Sequence, residues 1–228
     1  MKHAGKASRA AIRLIYWALV GLLVTMFAGV LAKLLGEFLV GIAGGLIGLW
    51  AVFAVFCLYF FRDPEPEVPT APGLVVSPAH GKVDVIDEVS VPELAGERRR
   101  RVSIFLSVFD VHVQRAPVAG RVARVQHTPG KFLNAMRTDS AQFNENVLIA
   151  FEPTGRTGGP IVIRLIAGLI ARRIIPWIDV GDGVARGERI SLIQFGSRCD
   201  VYLPLDAVVR VALGDRVRGG VSVLATWS

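Results

Sequence analysis

Gly196-Ser197 is the dipeptide in this chain whose own atoms could react with each other. The serine hydroxyl can attack the preceding carbonyl, and glycine has no side chain to block the approach. The amide then becomes an ester. A base that removes the serine α-proton expels the acyl group as a carboxylate, and the dehydroalanine left behind hydrolyses to a pyruvoyl group at a new amino terminus. Such a ketone can form a Schiff base with an amine and act as an electron sink. Gly-Ser is also a common turn dipeptide. The chemistry therefore depends on its surroundings, Phe195 before it and Arg198-Cys199-Asp200-Val201-Tyr202-Leu203-Pro204 after it.

Two histidines could move protons for that chemistry. His112 follows a strand-like run, Val102 to Leu106, in the segment Asp110-Val111-His112-Val113-Gln114-Arg115-Ala116-Pro117. An imidazole exchanges a proton near neutral pH, although a lone histidine on an alternating strand is commonly structural. His80 lies in Ser77-Pro78-Ala79-His80-Gly81-Lys82-Val83, and Asp84, Asp87 and Asp110 are alternative bases. Arg115, Arg172 and Arg173 could contact a phosphate. Arg98-Arg99-Arg100-Arg101 reads either as a solvated loop or as a headgroup-binding patch. No Cys/His cluster has metal-ligand spacing, so no metal is expected. Cys57 lies in an apolar run and Cys199 beside the reactive serine, which is not a disulfide framework.

These residues must be positioned by a chain of 228 residues that is 52% hydrophobic, with a mean hydropathy of +0.49. The excess is at the amino terminus. Leu14 to Ala32 and Phe38 to Phe61 are uncharged apolar runs, each long enough to cross a membrane as a helix. A short connector, Lys33 to Glu37, makes them a helical hairpin, with a hairpin dipping into one leaflet as the alternative. Small residues at Gly21, Thr25, Gly29, Gly41, Gly44, Gly45 and Gly48 have the spacing that lets membrane helices approach closely. Lys2, Lys6, Arg9 and Arg13 precede the first run and Arg62 follows the second, which places both ends in the cytoplasm. We therefore divide the chain into an anchor (1–61), a Pro-rich linker (62–73) and a β-rich domain (74–228).

The β-rich domain contains two internal echoes. Ser77-Pro78-Ala79-His80-Gly81-Lys82-Val83 recurs as Ala116-Pro117-Val118-Ala119-Gly120-Arg121-Val122. Gly181-Asp182-Gly183-Val184-Ala185-Arg186-Gly187 recurs as Gly214-Asp215-Arg216-Val217-Arg218-Gly219-Gly220. Each reads as a turn feeding a strand. The expected fold is mainly β, a sandwich or barrel-like domain with few helices, preceded by an α-helical transmembrane hairpin. Arg164 to Ile175 suits either a buried strand ending at a Gly turn or the start of a short helix. The second echo resembles the hairpins of lipoyl and biotinyl carriers. A carrier needs a lysine at the hairpin tip, yet every lysine lies at or before Lys131.

Phe195 to Pro204, the His112 segment and the Ser77 segment, in that order of weight, closely resemble motifs of the phosphatidylserine decarboxylase family in its shorter form. Pro129 to Ala135, Asn144-Glu145-Asn146, Ile166 to Ile174 and Tyr59 to Pro64 add similar stretches. The resemblance implies cleavage between Gly196 and Ser197 into chains of residues 1–196 and 197–228 that stay associated. It implies a pyruvoyl cofactor made from Ser197, an acid/base role for His112, and phosphatidylserine in the bilayer as substrate. The domain would face the cytoplasm at the inner membrane. The family has an aspartate in self-cleavage where this chain has His80, and Arg115 stands where the longer members have a further histidine. His80 is then a candidate processing base. The net charge of +7 fits an anionic membrane better than nucleic acid, for which no motif is present. The other readings are a processing-deficient homologue and a membrane-tethered β-domain adaptor. The oligomeric state is left open.

Overall fold

A computed structural model describes residues 5–32, 37–130, 143–155, 159–168, 173–194 and 197–227. Gly5–Asp63 form one compact unit, and the chain from Pro64 onward forms another. In the first, helices α1 (Lys6–Ala32) and α2 (Glu37–Phe60) contain apolar spans of 25 and 21 residues, long enough to cross a membrane. Their outward side chains are large and apolar: Phe27, Val30, Val52 and Val55 are all exposed. Gly29 comes within 3.3 Å of the Ala43 Cβ when given a Cβ of its own, whereas Gly41, Gly44, Gly45 and Gly48 meet nothing. Of the expected small-residue faces, only the Gly29 end is used for packing in this pair.

The second unit is mainly β. Its strands are β1 (Leu74–Val76), β2 (Gly81–Val91), β3 (Glu97–Leu106), β4 (Val113–Arg115), β5 (Gly120–Thr128), β6 (Asn146–Pro153), β7 (Ile161–Ala167), β8 (Ile174–Pro176), β9 (Gly183–Val184), β10 (Arg189–Ile193), β11 (Ser197–Leu203), β12 (Val208–Val209), β13 (Arg216–Val217) and β14 (Val223–Thr226). An eight-stranded sheet runs β13-β2-β3-β11-β7-β6-β5-β9, and two small sheets run β1-β14-β12 and β4-β10-β8. Alternating apolar residues of β3, β6, β7, β10 and β11 supply most of one shared core. Of the ambiguous stretch from Arg164 to Ile175, Arg164 to Ala167 end strand β7, with Leu165, Ile166 and Ala167 buried. Ile174 begins β8, and residues 169–172 lie outside the described residues.

The sequence echoes are the two ends of a duplicated β unit. Gly81 of β2 pairs with Val217 of β13, and Gly120 of β5 pairs with Val184 of β9, at opposite ends of the large sheet. The hydrogen bonds repeat as well. Val83 N–H donates to Asp215 O and Val83 O accepts from Gly214 N–H, just as Val122 N–H donates to Asp182 O and Val122 O accepts from Gly181 N–H. Asp182 and Asp215 each use a carboxylate oxygen to accept the backbone N–H three residues earlier. The two copies cross where Val76 N–H donates to Pro117 O and Arg115 N–H donates to Pro78 O. They differ after the last strand: β10 continues through Gln194 into β11, which inserts between β3 and β7.

The Pro-rich segment after Asp63 lies along this domain. Pro64 O accepts from the Arg115 guanidinium at 2.8 Å, and Glu65 pairs with the buried Arg189 at 3.2 Å. Pro fixes the extended backbone that allows both contacts.

Gly81 has a φ of +154°, and a Cβ there would lie 2.2 Å from Phe105 O. Only a residue without a side chain lets β2 approach β3 so closely beside the reactive end of the sheet. Gly81→Ala should lower stability by about 2–3 kcal/mol, seen as a fall of roughly 5 °C or more in the apparent Tm of the purified protein.

Candidate active site

Strand β11 is an interior strand, paired antiparallel along both edges. Ser197 lies opposite Leu106 of β3 and Ala167 of β7, so these three side chains share the core face. All three residues are fully buried. The Ser197 Oγ has no hydrogen-bond partner among the described residues. A buried hydroxyl left unpartnered costs about 1–3 kcal/mol. Such a cost is retained where the group has a use other than holding the fold. Gly196, the other half of the reactive dipeptide, and Phe195 lie outside the described residues.

His112 is held from both sides of this row. Beyond Leu106 the chain turns, with Asp110 N–H donating to Ser107 O at 3.0 Å. The Asp110 carboxylate accepts from Ser107 N–H and Oγ–H at 2.8 and 2.7 Å. Asp110 O lies 2.8 Å from Nδ1 of the fully buried His112. A carbonyl only accepts, so the neutral ring has its proton on Nδ1 and its lone pair on Nε2. His112 O accepts from Ile193 N–H at 3.1 Å and from the Gln114 amide at 2.8 Å. The Ser191 hydroxyl in turn donates to Gln114 Oε1 at 2.8 Å. The imidazole is thus fixed between the strand that pairs with Ser197 and the strand that leads into it.

Buried charges cover the opposite face of β11. Arg198 is fully buried and makes a two-pronged ion pair with Asp84, which sits at the bulge between Val83 and Val85. Asp200 lies opposite Ser103 and Arg164 and is fully buried. Burial pushes its carboxyl above the usual range, with Arg198, Arg101 and Arg164 partly offsetting the effect. Of the three alternative aspartates, Asp84 is held by Arg198, Asp87 by Arg101, and Asp110 by the Ser107 turn. Burial likewise pushes the Cys199 thiol well above its ordinary value, which makes it a poor nucleophile beside Ser197.

The other expected residues are placed as follows. His80 borders a cavity of about 210 Å³ together with Glu65, Glu67, Arg218 and Gly219. Arg115 is buried, and its guanidinium donates to Gly187 O and Pro64 O. Arg173 is exposed, and its carbonyl accepts at 3.2 Å from the N–H of Gln194, three residues before Ser197 in the chain. Arg172 lies outside the described residues. Arg98, Arg100 and Arg101 pair across the strands with Glu88 and Asp87, and Arg99 pairs with Glu97. The arginine run is a cross-strand ion-pair ladder.

Two contributors were not assigned from the sequence. The Asn144 amide donates to Ala167 O at 2.7 Å, which closes the sheet beside Ser197. The Arg198–Asp84 pair ties β11 to β2 across β3. Asn144 was visible in the Asn-Glu-Asn motif, but a bulge residue such as Asp84 has no signature in a single sequence.

The family model described as phosphatidylserine decarboxylase matches residues 53–225. A protein of Desulfotalea psychrophila named phosphatidylserine decarboxylase proenzyme is 44% identical over 176 residues, covering 77% of this chain and 81% of that protein. A protein of Symbiobacterium thermophilum with the same name is 44% identical over 208 residues, covering 91% and 92%.

Removing the Asp84 carboxylate leaves Arg198 charged and buried. Asp84→Ala should cost about 2–3 kcal/mol in chemical denaturation, less than a fully buried pair because Asp84 is 29% exposed. Asp200 acts in the opposite sense. Its raised pKa means that its contribution is fully present below the ordinary 3.8 and is lost as pH rises through the raised value. Asp200→Asn should flatten the fall in Tm measured across that range.

Proposed function

Since the chain belongs to the phosphatidylserine decarboxylase family, we propose that it cleaves itself between Gly196 and Ser197 and then removes the carboxylate of phosphatidylserine as CO2, leaving phosphatidylethanolamine. The buried, unpartnered Ser197 Oγ at the end of an interior strand is the observation that supports this reading. The hydroxyl is not spent on the fold, and β-pairing on both sides limits how its backbone can move.

Self-cleavage follows from atoms the chain already has. Ser197 Oγ adds to the Gly196 carbonyl carbon, its proton passes to a base, and the C–N bond breaks as the ester forms. Loss of the Ser197 α-proton then expels the Gly196 carboxylate. Water adds to the dehydroalanine and ammonia leaves, so that position 197 ends in a ketone. His80, which lines a cavity with Glu65 and Glu67, is the candidate base. The large and small chains then stay together without a peptide bond. Strands β11, β13 and β14 of the small chain pair with β3, β7, β2 and β1 of the large one.

The ketone supplies an electrophile that condenses with the substrate amine and takes up the electrons released with CO2. His112 Nε2, with its lone pair set by Asp110 O, takes up a proton and returns it to the carbon that lost CO2. Arg173 is the exposed cation beside the site and the candidate contact for the substrate phosphate, with Arg172 next to it in sequence. Arg115 serves by holding the linker to the domain. The two apolar helices keep the enzyme on the bilayer that contains its substrate. The excess of lysines and arginines flanking the helices supports a domain on the cytoplasmic side of the inner membrane.

Intact-mass analysis should show two chains, the smaller beginning at position 197 with a blocked amino terminus. A single unmodified species in an active preparation would exclude the mechanism. Ser197→Ala should stay uncut and inactive. His112→Asn should still be cut, while its decarboxylation rate falls by about 10²-fold or more. His80→Ala should slow cleavage, followed as loss of the full-length band.

A further inference from the structure

Isolated exposed apolar residues are ordinary on a protein surface. Among the described residues of the domain after Pro64 they divide between the two ends of the sheet, and the aromatic ones fall at one end. Among the described residues its exposed phenylalanines are Phe109 and Phe143, 64% and 48% exposed, from separate segments that both border the Ser197 row. Phe109 lies in the turn between Leu106, which is opposite Ser197, and His112. Phe143 directly precedes Asn144, whose amide holds Ala167 on the other side of Ser197. A third apolar residue, Leu213, is 63% exposed in the turn held by Asp215. Arg216, just beyond that turn, reaches Asp110 at 3.7 Å, which brings the Leu213 and Phe109 turns to the same end of the sheet.

The charge around this end is positive. Lys82, Arg173, Arg216 and Arg218 are exposed there. Of the neighbouring carboxylates, Asp110 pairs with Arg216, Asp215 accepts from Ala212 N–H, Glu65 pairs with Arg189, and Glu67 lines a cavity with Arg218. At the other end of β6 and β11 the exposed apolar residues are aliphatic, Val180, Leu205 and Val208, and charges of both signs accompany them, Asp179, Asp182 and Asp206 with Arg121 and Arg210. An apolar rim among cations suits an anionic bilayer, where aromatic and aliphatic side chains enter below headgroups that the cations meet.

We propose that Phe109, Phe143 and Leu213 form a docking rim that enters the surface of an anionic bilayer around the Ser197 end of the sheet. The inference rests on the decarboxylase reading, because a phospholipid substrate must leave the bilayer to reach Ser197. The rim lets the headgroup enter the site while the acyl chains stay in lipid.

The test uses the full-length, self-cleaved protein in mixed phosphatidylcholine–phosphatidylserine nanodiscs. The Phe109→Ser/Leu213→Ser variant should lose about tenfold in rate on bilayer phosphatidylserine. Its rate on dihexanoyl phosphatidylserine, dispersed as monomers, should stay within about twofold of the parent, because nothing there has to be drawn from a bilayer. Val180→Ser should change neither rate. Unchanged bilayer activity in the double variant, or an equal fall on both substrates, would overturn the proposal. A dye attached at Phe109→Cys should be quenched by spin-labelled lipid, and one at Val180→Cys should not; equal quenching, or none at position 109, also overturns it. Should the parent protein decarboxylate neither substrate, the catalytic reading fails, and the quenching comparison still decides the rim.

Discussion

Strand β11 is paired on both edges from its first residue, and the site depends on that constraint. Ser197 is the first described residue of the strand, and its backbone is held in the ladder on both edges. A serine in a loose turn would present its hydroxyl to water and sample many geometries. Here the side chain is buried between Leu106 and Ala167, without water to compete for it. The geometry limits the hydroxyl to few neighbours, which is how a weak nucleophile gains effective concentration.

The duplicated β unit explains why this arrangement occurs at one place only in the described structure. Both copies build the same turn, the same bulge and the same Asp-held corner, and they cross at Val76 and Arg115. Only after β10 does the chain continue through Gln194 into an interior strand. Fixing His112 draws on the same copy, because Ile193 at the end of β10 holds its carbonyl and Gln114 of β4 holds it again. The reactive end is thus an elaboration of one half of a pseudo-symmetric scaffold. The scaffold supplies rigidity, and the departure from symmetry supplies the chemistry.

The two faces of β11 carry different polar groups. Each has a buried atom without a hydrogen-bond partner among the described residues, Asp200 Oδ1 on one and Ser197 Oγ on the other. On the outer face, Arg198, Asp84, Arg101, Asp87 and Asp200 are placed so that buried charges have opposite charges close by. This makes the strand costly to displace in either direction. On the core face the Ser197 hydroxyl has no such partner. A strand locked by its outer face can tolerate an unsatisfied group on its inner one, and can stay in the sheet when the peptide bond before it is gone.

Much of this was legible in the sequence because it is local. The apolar runs, the proline-rich boundary, the β periodicity and the two echoes each depend on neighbours within a few residues. The order of the motifs around Ser197, His112 and His80 pointed to one family and one chemistry. What pairs with what was not legible. The register that sets Ser197 opposite Leu106 and Ala167, the bulge that brings Asp84 to Arg198, and the meeting of the Phe109 and Leu213 turns all join residues far apart in the chain. The arginine run shows the difference: composition allowed a solvated loop or a lipid patch, and cross-strand pairing made it an ion-pair ladder. By itself the sequence determined which groups could react, because reactivity belongs to residue types and their immediate neighbours. Only the tertiary structure decided which of them are buried, oriented and left unpartnered, because those properties arise from strand pairing across long separations.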